Sequence, residues 1–80
     1  MIFTSVSTNT VEIFKTTVEK PSEAGLIVEK LQQRFPYYRI NFDLADCDRI
    51  LRVEAKLGRV DVETIRDMVR ACNHEIELLL

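Results

Sequence analysis

Ile40-Asn41-Phe42-Asp43-Leu44-Ala45-Asp46-Cys47-Asp48-Arg49-Ile50-Leu51-Arg52-Val53-Glu54-Ala55 is the stretch from which the fold can be read. Ile40, Phe42 and Leu44 alternate with Asn41 and Asp43. Leu51, Val53 and Ala55 alternate with Arg52 and Glu54. A period of two means that successive side chains point to opposite faces, so each half predicts a strand with one buried and one wet face. That is the mark of an antiparallel sheet covered on one side only. Ala45 to Arg49 is a short turn between them, and the pair predicts a hairpin.

On the N-terminal side, Lys20-Pro21-Ser22-Glu23 opens a helix, because the N–H that proline lacks would have no intrahelical partner in the first turn. Ala24, Ile27, Val28, Leu31 and Phe35 then fall at i, i+3, i+4, i+7 and i+11, one continuous apolar stripe. Pro36 ends it, since the residue before a proline avoids helical angles. Upstream, Val11, Ile13, Phe14, Thr16, Thr17 and Val18 are β-branched or aromatic, and Val11 to Val18 predicts a strand. Residues 1–10 hold Ile2, Phe3 and Val6 before the polar run Ser7-Thr8-Asn9-Thr10. They form a lead-in that is either mobile or an extra edge strand.

On the C-terminal side, Lys56 to Val60 is a loop containing Gly58. Asp61 is an N-cap, its carboxylate suited to accept from the free N–H groups of a first helical turn. Val62, Ile65, Met68, Val69 and Cys72 follow at i, i+3, i+6, i+7 and i+10, giving a second amphipathic helix. Asn73 lies just past its end, where a residue tolerant of left-handed backbone is favoured. Glu75-Ile76-Glu77-Leu78 alternates once more and predicts a last strand.

The order strand, helix, strand, strand, helix, strand predicts an α+β domain over residues 11–80. Right-handed crossovers place both helices on one face of a four-stranded antiparallel sheet, the ferredoxin-like βαββαβ sandwich. In that topology the Thr17–Ser22 loop, the Asp46–Arg49 turn and the Cys72–His74 turn meet at one end of the sheet, called here the upper edge. Both cysteines and the one histidine lie in or beside them.

Eighty residues suit one small domain. With 46% hydrophobic and 30% charged residues the chain has the balance of a folded globule rather than a disordered one. A formal net charge of −2 gives no electrostatic case for nucleic acid. No run approaches the roughly 20 apolar residues that span a bilayer, and no signal-peptide pattern opens the chain, so a cytoplasmic protein with reduced thiols is expected. Two cysteines do not make a disulfide framework.

The strand–helix order, at this length, resembles the heavy-metal-associated (copper-chaperone-like) family over Val11 to Leu79. Three stretches carry the resemblance: Val11-Glu12-Ile13-Phe14, then Tyr38-Arg39-Ile40-Asn41-Phe42-Asp43-Leu44, then Ala71-Cys72-Asn73-His74-Glu75. In the last, Asn73 stands in the place of the family's glycine and His74 in the place of its aromatic residue. Residues 40–54 also look like a group of small bacterial relatives of that family. The resemblance implies the same βαββαβ fold. The family's metal motif, Met-x-Cys-x-x-Cys in the first loop, pinches a soft ion such as Cu(I) between two thiolates. The equivalent stretch here, Thr17-Val18-Glu19-Lys20-Pro21-Ser22-Glu23, holds no sulfur, and no first-loop residue carries over as a ligand.

A substitute zinc or copper site could draw on Cys47, Cys72 and His74, with Asp46 or Asp48, because zinc accepts sulfur, nitrogen and carboxylate together. Against it, Cys72 continues an apolar stripe and reads as a small core residue, His74 as a turn residue and Cys47 as a hairpin thiol. Asp46 and Asp48 disfavour a reactive Cys47 thiolate, and Asp43, Asp46 and Asp48 do not complete a calcium loop. The open sheet face is expected to carry Glu12, Phe14, Arg39, Asn41, Asp43, Arg52, Glu54, Glu75 and Glu77, with Phe14 anomalous there. Tyr37 and Tyr38 read as a helix-to-strand anchor rather than as base-stacking groups, since the RNA-binding version of the fold needs central-strand aromatics and a basic face. Acylphosphatase-like catalysis would need an arginine in the first loop, which is absent, and no Ser/His/Asp or Cys/His set follows from order or spacing.

The expectation is therefore a non-catalytic binding or interaction module without a cofactor. It presents a sheet edge or the open face to another protein chain or to itself, and binds neither nucleic acid nor membrane. The alternative is a soft-metal or zinc carrier or sensor using Cys47, Cys72 and His74. A third option, a small molecule held between two copies, rests on fold analogy alone.

Overall fold

The computed structural model describes residues 10–45, 47–56 and 58–79. The lead-in before Thr10 and the carboxylate of Asp46 lie outside the described residues. Six elements follow in the expected order: β1 (Thr10–Thr16), α1 (Pro21–Arg34), β2 (Tyr38–Asp43), β3 (Ile50–Ala55), α2 (Val62–Ala71) and β4 (Ile76–Leu79). The sheet is antiparallel throughout, in the order β2-β3-β1-β4. This is the α+β, ferredoxin-like βαββαβ arrangement.

Local chemistry accounts for the helix boundaries. Pro21 opens α1, the Ala24 N–H reaches the Lys20 carbonyl at 3.0 Å, and the Phe35 N–H closes the last turn on Leu31 before Pro36. At α2, Asp61 accepts from the Thr64 N–H at 3.2 Å and from the Thr64 hydroxyl at 2.8 Å. Those bonds, the hydroxyl's first, hold its carboxyl below the usual aspartate value of 3.8. The other end of α2 is a Schellman closure. The Asn73 N–H bonds the Arg70 carbonyl at 2.9 Å, the His74 N–H bonds Val69 at 3.4 Å, and Asn73 itself is left-handed at φ 67°.

One core forms between the helices and a single sheet face. Ala24, Ile27 and Leu31 of α1 and Ile65 and Val69 of α2 are buried with Phe14, Ile40, Leu51, Val53, Ala55 and Ile76 of the strands. The alternation read in β2, β3 and β4 therefore holds. The reading of β1 is corrected: Phe14 is fully buried and stands opposite Leu51, so it lies on the helix side rather than on the open face. Glu12 shares its side, in line with Val53. Val11, Ile13 and Lys15 take the open face instead. The physical reason is that β1 is a central strand with apolar residues at both parities, so its pattern does not fix a face. The larger aromatic goes where it loses most contact with water.

Strand limits shift for a similar local reason. Thr16 turns its hydroxyl to the Arg49 carbonyl at 2.7 Å and accepts from the Val18 N–H at 3.2 Å, which ends β1 at Thr16 instead of Val18. At the other end of the sheet, the Gln32 amide nitrogen bridges the Phe35 carbonyl (3.0 Å) and the Tyr38 carbonyl (2.6 Å). Tyr38 stacks on Phe35 with centroids 4.6 Å apart, donates to the Arg59 carbonyl and accepts from the Asp61 N–H. Tyr38 thus anchors α1 and the α2 cap to β2. Tyr37 points away and is 87% exposed.

Candidate functional site

The three connections expected at the upper edge do meet there. The Thr16 N–H is shared between the Asp48 and Arg49 carbonyls, both at 3.2 Å, and the Thr17 N–H bonds the Glu75 carbonyl at 3.2 Å. Arg49 adopts left-handed backbone, φ 48°, where the hairpin meets the end of β1. Its guanidinium pairs with Glu19 at 3.0 Å and reaches the Cys47 carbonyl at 2.9 Å. Lys15 stands 3.9 Å from Asp48. These pairs are substantially exposed, so each contributes little to stability.

At this edge the His74 side chain is only 14% exposed and is held from both sides. Its Nδ1 shares a hydrogen bond of 3.2 Å with the Thr17 hydroxyl, and its Nε2 lies 3.3 Å from Glu23 Oε1 in the first turn of α1. The Thr17 oxygen also accepts from the Glu75 N–H at 2.9 Å. A hydroxyl, an imidazole and a carboxylate are thereby joined across three segments of chain. Sequence order did not reveal this set, because Thr17 and Glu23 lie far from His74. The one signal was that the topology brings their loops to the same edge.

Cys72 and His74 line one hollow of about 160 Å³ together with Glu23. Cys72 is half-buried, in keeping with the α2 stripe, and packs against the core. Cys47 is exposed on the hairpin and does not line that hollow. The three residues proposed for metal are thus divided. Among the described residues no group of three His, Cys, Asp or Glu side chains is placed to hold a metal ion. Both His74 nitrogens already face partners, so ligation would break one of those contacts.

Two further features lie elsewhere. A hollow of about 830 Å³ runs beside the start of β2, lined by Pro36, Tyr37, Tyr38 and Ile40 with Arg39 and Lys56. The open sheet face carries Val11 (40% exposed), Ile13, Ile50 and Leu79 among Lys15, Arg39, Arg52, Asp43, Glu54 and Glu77. Among the described residues no helix is long and apolar enough to cross a membrane. No protein-family model, no curated protein and no solved structure matches the chain.

Proposed function

We propose that the chain is a non-catalytic interaction module of heavy-metal-associated-like fold that presents its exposed sheet to another protein chain in the cytoplasm. The observation that carries this is the composition of the open face. Val11 and Ile13 stand on a central strand, on the side away from both helices, with Ile50 and Leu79 on its two neighbours. Charges of both signs stand among them, Glu54 opposite Val11 and Arg52 opposite Ile13, and such a mixture of apolar and charged groups suits a polar, reversible recognition surface. Among the described residues β2 and β4 are the outermost strands and flank it on both sides.

The upper-edge set serves this module as a clip. The Thr17 hydroxyl is held by the Glu75 N–H and by His74, and Glu23 holds the other side of the ring. That ties the end of β1 and the start of α1 to the entry of β4, which fixes the sheet the module displays.

A photo-crosslinking amino acid at Val11 or Asn41 on the sheet, compared with one at the exposed Leu26 of α1, tests the reading in native cells. Discrete crosslinked species from the sheet positions, absent from Leu26, are expected. Crosslinks from Leu26 alone, or from none of the three, would contradict it.

A further inference from the structure

We propose that the partner at the β2 edge is a second copy of this chain, joined antiparallel about a two-fold axis at Asn41 so that the two sheets become one. The proposal rests on the interaction reading above and names the surface and its occupant. β2 is an outermost strand, in unbroken register with β3 from Tyr38 to Asp43. Its outward N–H and C=O groups can template another strand. Edges are usually blunted by charged side chains, above all lysine, by proline or by a bulge; Tyr38-Arg39-Ile40-Asn41-Phe42-Asp43 has no lysine, proline or bulge, and its two charges, Arg39 and Asp43, are of opposite sign.

Charge selects the occupant and the register. In an antiparallel pair, residues directly opposite one another share a face, so only registers that keep face to face are allowed. The register centred on Asn41 sets Arg39 opposite Asp43 of the second copy, and by symmetry does so twice. Asn41 then meets its own counterpart, amide to amide. On the helix side Ile40 meets Phe42 of the second copy, and the half-buried Leu44 of that copy arrives beside Tyr38, at the hollow next to the strand. Among the described residues Asp43 accepts through Oδ1 alone, from the Ala45 N–H. The other edge offers no such selection: in β4 the registers centred on Ile76 and Glu77 set Glu77 against Glu75 or Glu77 of the copy, like charges that repel, and the register centred on Leu78 sets Glu77 against Leu79, with no opposite charge to favour it.

Charge reversal tests this. Sedimentation velocity over a wide concentration range is run on the wild type, Arg39→Asp, Asp43→Arg and the double variant, with circular dichroism melts showing that each is folded. The wild type should show a concentration-dependent monomer–dimer equilibrium. Each single reversal sets like charges opposite one another twice and should weaken the dimer at least about tenfold. The double reversal should restore it. A wild type that stays monomeric, a dimer indifferent to the single reversals, a double variant that does not recover, or open-ended growth would each overturn the pairing. A monomeric wild type leaves the interaction reading intact, because crosslinks from Val11 or Asn41 to a different chain would still report it.

Discussion

Phe14 of β1 stands directly opposite Leu51 of β3, and both side chains are fully buried. Their contact lies across the two central strands, beneath the helices, so it reports the face on which β1 presents its large residues. Phe14→Ala should lower the unfolding free energy by about 3–5 kcal/mol, the usual cost of emptying a buried aromatic site. Ile13→Thr, one residue away and on the open face, should cost about 1 kcal/mol or less. Urea titration of both variants checks this. Equal losses would mean that β1 has no fixed face.

Asp61 makes the start of α2 sensitive to acid. The Thr64 bonds hold its carboxyl below 3.8, so the stabilisation they bring is complete above that pH and is lost as pH falls through the lower folded-state value. Asp61→Asn has no charge to lose there. The wild type should be the more stable above pH 3.8, and the two urea midpoints should converge on the acid side. A difference that stays constant with pH would show that the cap does not titrate.

Thr17 joins β1 to the entry of β4 through its hydroxyl alone. Thr17→Val removes the bonds to the Glu75 N–H and to His74 and should cost about 1 kcal/mol, whereas Thr17→Ser should retain most of the stability. Amide exchange in β4 should quicken in the valine variant. If valine and serine behave alike, the hydroxyl is not the link.

The two thiols should separate by rate. Cys47 is exposed and should be alkylated first, and Cys72, half-buried against the core, should follow slowly. Native mass spectrometry of the reduced protein with one equivalent of Zn(II) or Cu(I) should show no specifically held ion. An ion retained by the wild type and lost on Cys72→Ser or His74→Ala would instead establish the metal alternative.

Legibility in the sequence followed how unambiguous each local pattern was. Ile40, Phe42, Leu51 and Val53 alternate cleanly, so their strands and faces could be read directly. Pro21, Pro36, Asp61 and Asn73 mark the helix ends because backbone chemistry leaves few residues suited to those places. β1 failed at its face, since Val11, Ile13, Phe14 and Thr16 offer apolar or β-branched groups at both parities and only packing decides. The His74 cluster was legible as a place and not as a set of partners. Topology brought its loops together, whereas the choice of Thr17 and Glu23 over Cys47 depends on side-chain reach that spacing does not encode.

Backbone amide exchange along β2, compared at low and high protein concentration, reads the paired edge strand itself. Alternate amides between Tyr38 and Asp43, those facing away from β3, should become slower to exchange as concentration rises, while amides of α2 do not change. Concentration-independent exchange along β2, or protection that grows at the upper edge around His74 instead, would contradict the pairing.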